Sequence, residues 1–562
     1  MSKKNGSTSG AKSRKFARLR GLGLSLPAVL AVAPAAHAFQ LYDGTTHGNN
    51  WEVNLNITTT YSGAIRVAHP SQLIINGAID ANGNDGDANL NRGVVDNNFE
   101  ILPVLDIKNG SFGVHISGEY FVNTVYLTQT KNNQQSTVNP ITLPQNYASQ
   151  TKLNNGYTGR LLDAFVYDSW AFGHGQQFTL KAGQQTLFWG QALFSTNGIS
   201  GGQAPIDAVQ AQSFANPNPQ AQSIFVPVGQ IVATYQPDQT YTFQGYYQYQ
   251  WVATAQQGVG SYWSTTDISG PAGYRLIAAQ AGGNTYFLLH GEDLTPPSQN
   301  GQFGLSAQAQ YGNYDAGLFM LRYDAKNPEF YQYAPTAFVP TPGGYGVGMF
   351  KYVYPRDIWL YGTSVSTTIG ATNVAGEVSV RTHMPLVGGS NAGTQTSPTD
   401  GNANNDPLYP VGNVMVGIVN AIYGSPALRF DPGGITVTGE AEWDNVFRVT
   451  QNPQLLAPGR SQQDFTLNLG VTPAYFEVLP NLELEFPLSL SWVVAGNSQV
   501  WITNNKGTGS YSMGVTAIYK ENWDASLIYA GYFGTPGGNP TLPGINSFAD
   551  RGYVALSLSH TF

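Results

Sequence analysis

Cysteine is absent from the 562-residue chain. No disulfide can form and no thiolate can hold a metal, so stability has to come from other sources. Charge is also scarce. Asp, Glu, Lys and Arg together make up 11% of the residues, against a usual share of about 25%. That fits a soluble surface poorly. The formal net charge of −8 gives no support for a nucleic-acid partner. The third shortage is of long apolar runs. Residues 21–35 form a short one, interrupted by Pro27 and Pro34. It covers about 15 residues, where a spanning helix needs about 20. Aromatics, by contrast, reach 12%, and low charge with many aromatics is the reverse of a disordered composition. A membrane protein without a spanning helix must cross with strands. This composition suits a barrel with lipid outside and a neutral lumen of Asn, Gln, Ser and Thr.

The N-terminus has the parts of an export signal. Lys3, Lys4, Lys12, Arg14, Lys15, Arg18 and Arg20 precede the apolar run, and Ala36-His37-Ala38 follows it as a small-x-small cleavage site. The expectation is a cleaved signal peptide over 1–38, with cut after Ala38 and a mature barrel over 39–562 starting at Phe39.

The period of the remaining chain is two. In the last stretch, RGYVALSLSHTF, Val554, Leu556, Leu558, His560 and Phe562 share one face, while Tyr553, Ala555, Ser557, Ser559 and Thr561 share the other. This is a strand with one apolar and one polar face. A barrel must close its last strand on its first, because an open edge cannot exist in lipid. The first strand has the same pattern: Trp51, Val53, Leu55, Ile57 and Tyr61 alternate with Asn54, Asn56, Thr58 and Thr60.

Between them, connections alternate in length. Short ones fall at 108–110, 173–176, 236–240, 312–315, 370–373, 431–434, 479–481 and 521–524. Long ones fall near 68–98, 127–158, 190–228, 252–300, 324–357, 382–411, 451–462, 494–507 and 534–550. Strict rotation of short and long connections is the signature of short periplasmic turns and long extracellular loops. The reading is an all-β fold, a transmembrane antiparallel outer-membrane β-barrel of about 16–18 strands. Pro473 and Pro487 interrupt two late strands and predict bulges or bends there.

Eight further segments stand out: GDANLNRGVVDN (86–97), LDIKNGSFGVHISGEYFVNTVY (105–126), GRLLDAFVY (159–167), LKAGQQTLFWGQALFSTNGI (180–199), YWSTTDISGPAG (262–273), NGQFG (300–304), YPRDIWLYGTSVSTTIG (354–370) and AGEVSVRTHMPL (375–386). In this order they resemble a family of Gram-negative outer-membrane proteins catalogued as domain of unknown function 1302. The central motif holds Gln184, Gln185, Trp189, Gly190 and Gln191. The family more often has Arg at 184 and Glu at 191, so a charged pair replaced by two amides is one reading. The resemblance implies an outer-membrane barrel associated with catabolism of hydrophobic compounds, and it supplies no catalytic residues. Such barrels also end in Phe, here Phe562, which the assembly machinery recognises; His560 departs from the usual pattern.

Enzyme signatures are missing. No nucleophile elbow and no phosphate-cradling loop occur, and the eight histidines are scattered without metal-site spacing. No enzyme, metal or cofactor is expected. Alternation instead places Glu377 and Arg381, then Glu440, Glu442, Asp444 and Arg448, then Glu483 and Glu485, on inward faces. Such charges either set selectivity in a pore or brace its wall. The loops 190–228 and 252–300 are candidates to fold inward, and in the second Tyr262, Trp263, Tyr274, Tyr286 and Phe287 are candidate ligand contacts. The function expected is an outer-membrane channel or passive uptake protein for small hydrophobic compounds in a Gram-negative bacterium. A non-transport scaffold or adhesin, and a membrane-embedded hydrolase, are the alternatives. The partners expected are outer-membrane lipid and lipopolysaccharide, the assembly machinery through the C-terminal strand, and a small apolar ligand.

Overall fold

The computed structural model describes residues 39–44, 48–76, 81–130, 132, 146–214, 224–296, 300–334, 338–403, 405–426 and 433–562. The expected signal segment 1–38, with Ala38, lies outside the described residues. Among the described residues no helix is long and apolar enough to cross a membrane.

Among the described residues the main sheet holds 20 strand segments. Leu482–Glu485 and Leu488–Ala495 are two halves of one stave, parted at Phe486 and Pro487. Phe39–Asp43 is a short extra strand on the first stave. An antiparallel barrel of 18 staves remains, from Trp51–Arg66 to Tyr553–Thr561. These two staves pair from Thr58↔Thr561 to Arg66↔Tyr553 and close the cylinder. Closure matters physically because each unpaired backbone group in hydrocarbon costs several kcal/mol, roughly.

Alternation shows how the sequence selects this fold. On the first stave Tyr61 and Ile65 are exposed on the outer face, while Thr60, Ser62, Ala64 and Arg66 are buried within. The short turns are as tight as the sequence implies. Gly110, Gly312 and Gly370 take φ of +61°, +62° and +62°, a left-handed region that costs glycine little. The register shifts between Tyr475 and Leu479, just past Pro473.

The lumen wall departs from the expected polar lining. Leu321, Ile358, Leu360, Val414, Val416 and Ile418 point inward and are fully buried. They face chain rather than water: Trp189 and Ile199, from a loop inside the barrel, pack on them. A wall covered on both sides reads as a near-continuous apolar run, as over residues 414–419.

A second sheet lies within the long loops. Its strands Arg275–Ala281, Asn284–His290, Glu329–Tyr333, Val339–Thr341 and Gly344–Val353 come from two connections. Asn284–His290 and Gly344–Val353 pair in parallel. Sequence reading treats this whole region as loop.

Candidate functional site: a loop clamped inside the barrel

The connection between Gln177–Gln185 and Val228–Gln236 turns into the lumen over residues 187–203. Trp189 starts it. Its backbone N–H donates to Gln203 Oε1 at 2.9 Å and its indole N–H to Gln244 Oε1 at 2.7 Å. The ring packs on Tyr246 and Phe319, with centroids 5.2 and 5.7 Å away.

Two wall carboxylates then hold the loop by its backbone. Glu377, on Thr372–Pro385, accepts the N–H of Gln191 at 2.5 Å with one oxygen and that of Ile199 at 2.8 Å with the other. Glu440, on Ile435–Gln451, accepts the N–H groups of Leu193, Phe194 and Ser195 at 2.6, 3.1 and 2.7 Å. Glu442 takes the Asn197 amide at 2.7 Å. Arg381 donates to the carbonyls of Asn197 and Gly198, and Asn420 donates to that of Gln191 at 2.7 Å. A hydrogen bond to a charged acceptor contributes about 1.5–3 kcal/mol, so the clamp holds an irregular loop that packing alone would not define. Glycine makes the approach possible. A side chain at Gly190 or Gly198 would collide with the Glu377 carboxylate, and Gly190 also takes φ +93°.

The family described as "Protein of unknown function (DUF1302)" matches residues 19–562. The chain belongs to this family. Among solved structures it is similar to Acinetobacter baumannii OccAB1, at 10% identity and TM-score 0.43, covering 94% of this chain and 99% of that one. It is also similar to Pseudomonas aeruginosa OccD3 (OpdP), at 10% identity and TM-score 0.41, covering 94% and 93%. Pseudomonas aeruginosa OpdK with vanillate is similar at 8% identity and TM-score 0.39, covering 91% and 98%. No curated protein sequence matches it.

In this DUF1302 barrel the three glutamines of the central motif have separate partners. Gln185 and Gln230 exchange side-chain-to-carbonyl hydrogen bonds at 3.3 and 2.8 Å. Gln191 serves the clamp through its backbone. Gln184 is half-buried and donates to the Leu161 carbonyl at 3.1 Å.

The acids expected to ring the lumen are thus mostly engaged with the loop. Glu377, Arg381, Glu440, Glu442 and Asp444 are all buried on inward faces. Asp444 stands opposite Asp464 in the register. Glu483 and Glu485 are half-buried on the split stave. Arg448 requires a correction. The register shifts near Asn413 and Val414, which pair with Arg448 and Val446. The extra residue turns Val449 toward the inner core and leaves Arg448 exposed rather than in the lumen.

The loop 252–300 divides. Tyr262 and Trp263 enter the barrel and pack with Tyr126, Tyr147 and Phe214 against the inward Ala64 and Ala555. Tyr262 is fully buried, with its hydroxyl on the Arg551 carbonyl at 2.7 Å. Tyr274 is half-buried, on a small cluster with Ala148 and Val259. Tyr286 and Phe287 belong to the second sheet. Tyr286 stacks on Tyr345, and Phe287 lies under the Arg275 guanidinium at 4.0 Å. Phe39 stacks on Phe562 at 6.4 Å.

Sequence reasoning missed a clasp beside Tyr262. Asp87 binds Arg66 at 2.7 Å and Arg551 at 2.8 Å, and Arg66 also meets Asp550 at 3.2 Å. One half, Arg66 and Asp87, lies near the start and the other, Asp550 and Arg551, near the end, so only the closure of the first and last staves brings them together.

Proposed function

We propose that the protein is a passive outer-membrane channel for small hydrophobic compounds, embedded in outer-membrane lipid and lipopolysaccharide. The observation that carries this reading is the loop 187–203 clamped across the lumen by Glu377 and Glu440. A scaffold or adhesin works through its outer loops and needs nothing ordered within the barrel. A channel needs a constriction, and a constriction needs fixed geometry. The wall acids serve as the fixings, which leaves Glu483 and Glu485 as candidates for setting charge preference near the periplasmic mouth.

Reconstitution tests the reading. The wild-type protein in a planar bilayer should show discrete ion conductance. Glu440→Ala removes three charge-assisted bonds of about 1.5–3 kcal/mol each. It should raise the conductance and make the current fluctuate as the loop leaves its seat. A silent wild-type protein, or a Glu440→Ala trace identical to it, would oppose the proposal.

A further inference from the structure

The loop 187–203 buries most of its large side chains. Trp189 and Ile199 are in the inner core, Leu187 packs on it, and Phe188 lies edge-on to Phe225 at 4.9 Å. Phe194 is the exception, with 46% of its surface exposed. It is not loosely held. Its own N–H and those of Leu193 and Ser195 all end on Glu440. The Glu440 side chain points into the lumen, so the ring meets lumen water and not lipid. The wall beside it is bare: a Cβ built on Gly470 would come within 3.9 Å of the ring tip. The neighbouring inward positions, Thr438, Asn468 and Thr472, are small or polar and uncharged.

We infer that Phe194 is the side chain on which the channel grips its solute, an uncharged apolar molecule with a flat ring face. This rests on the channel reading above. An exposed aromatic on a fixed backbone offers a stacking face without an ordering cost at binding. Charge decides the rest of the class. Glu377, Glu440 and Glu442 are the carboxylates that bond this loop, and the cation of the clamp, Arg381, is engaged by the carbonyls of Asn197 and Gly198. A carboxylate brought to Phe194 would meet these acids, and the clamp's own cation already holds the loop.

Proteoliposome swelling with phenyl β-glucoside and methyl β-glucoside tests this, because both sugars are neutral and leak slowly through lipid. The wild-type protein should admit the phenyl sugar faster than its larger size allows. Phe194→Ala should lower the phenyl-to-methyl rate ratio by about two- to tenfold, the span of one aromatic stacking contact. Phe194→Leu should lower it too, and Phe194→Trp should keep it, so the test survives if one variant does not fold. Anionic phenyl glucuronide should enter more slowly than phenyl glucoside. An unchanged ratio in Phe194→Ala or Phe194→Leu proteoliposomes that still swell would overturn the role of Phe194 and leave the channel intact. Faster uptake of the glucuronide would overturn the assigned class. No swelling by wild-type protein with either sugar would overturn both the channel and this inference.

Discussion

Asp87 shows how much a single residue can carry in a chain with so few charges. It is fully buried, and both its oxygens meet guanidinium groups, Arg66 on the first stave and Arg551 just before the last. With Asp550 the cluster holds two positive and two negative side chains, all buried. Such an arrangement is stable only while it is complete, because removing one partner strands the others without water. Tyr262 adds to it: the Arg66 and Arg551 guanidiniums lie 5.8 and 5.9 Å from its ring. Asp87→Ala should therefore destabilise the folded barrel by about 3–5 kcal/mol, read as a lower urea midpoint in detergent micelles. A shift within about 0.5 kcal/mol, typical of a surface site, would show that the cluster does not fasten the seam.

At the scale of elements, the second sheet has its own pH sensitivity. His290 ends the strand Asn284–His290, with one ring nitrogen 2.8 Å from the Gly273 carbonyl and the other 2.9 Å from Asp293. Both partners accept, so the doubly protonated ring fits best. The bond to Asp293 is the main cause that raises the His290 pKa above its ordinary value. Asp293 also accepts the Tyr352 N–H at 2.8 Å, which joins the hairpin to Gly344–Val353. A raised folded pKa means the contribution is complete below the unfolded value of about 6.5 and is lost as pH rises through the folded one. Amide exchange in residues 284–290 and 349–353, corrected for intrinsic rate, should be slower at low pH than at high pH, and His290→Gln should flatten the difference. Equal protection in wild-type protein across that range would refute the coupling. This sheet also marks where sequence reading stops. The staves were legible because lipid on one side and lumen on the other impose a period of two, and the short turns carry Gly and Asn. Parity placed Glu377, Glu440, Glu442 and Asp444 on the correct face, then failed at Arg448, where one extra residue reverses it. Four of the five strands of the second sheet have seven residues or fewer, and the clamped loop has no period, so neither leaves a clear pattern. The two glycines that admit Glu377, Gly190 and Gly198, look like any others until the carboxylate is in place.

For the whole molecule, one requirement orders the rest: the outer face must be acceptable to hydrocarbon along its height. Leu305, Leu318, Val365 and Val419 project outward and are at least half exposed, which in a soluble protein would be a large aggregation surface. Inward positions at the same levels carry Ser306, Ser364 and Asn420. That contrast makes a depth-dependent prediction. Leu318, 63% exposed, lies midway along Tyr314–Tyr323, while Tyr311, 83% exposed, ends the preceding stave at a periplasmic turn. Leu318→Arg should reduce stability in lipid vesicles by about 2–4 kcal/mol, and Tyr311→Arg by about 0–1 kcal/mol, since the cost of a cation falls from midplane to interface. Urea titrations of the two variants in the same vesicles give the comparison directly. Equal costs at the two depths would mean that this face does not sit in a bilayer. The closed barrel would then need another solvent, and the inward loop another purpose.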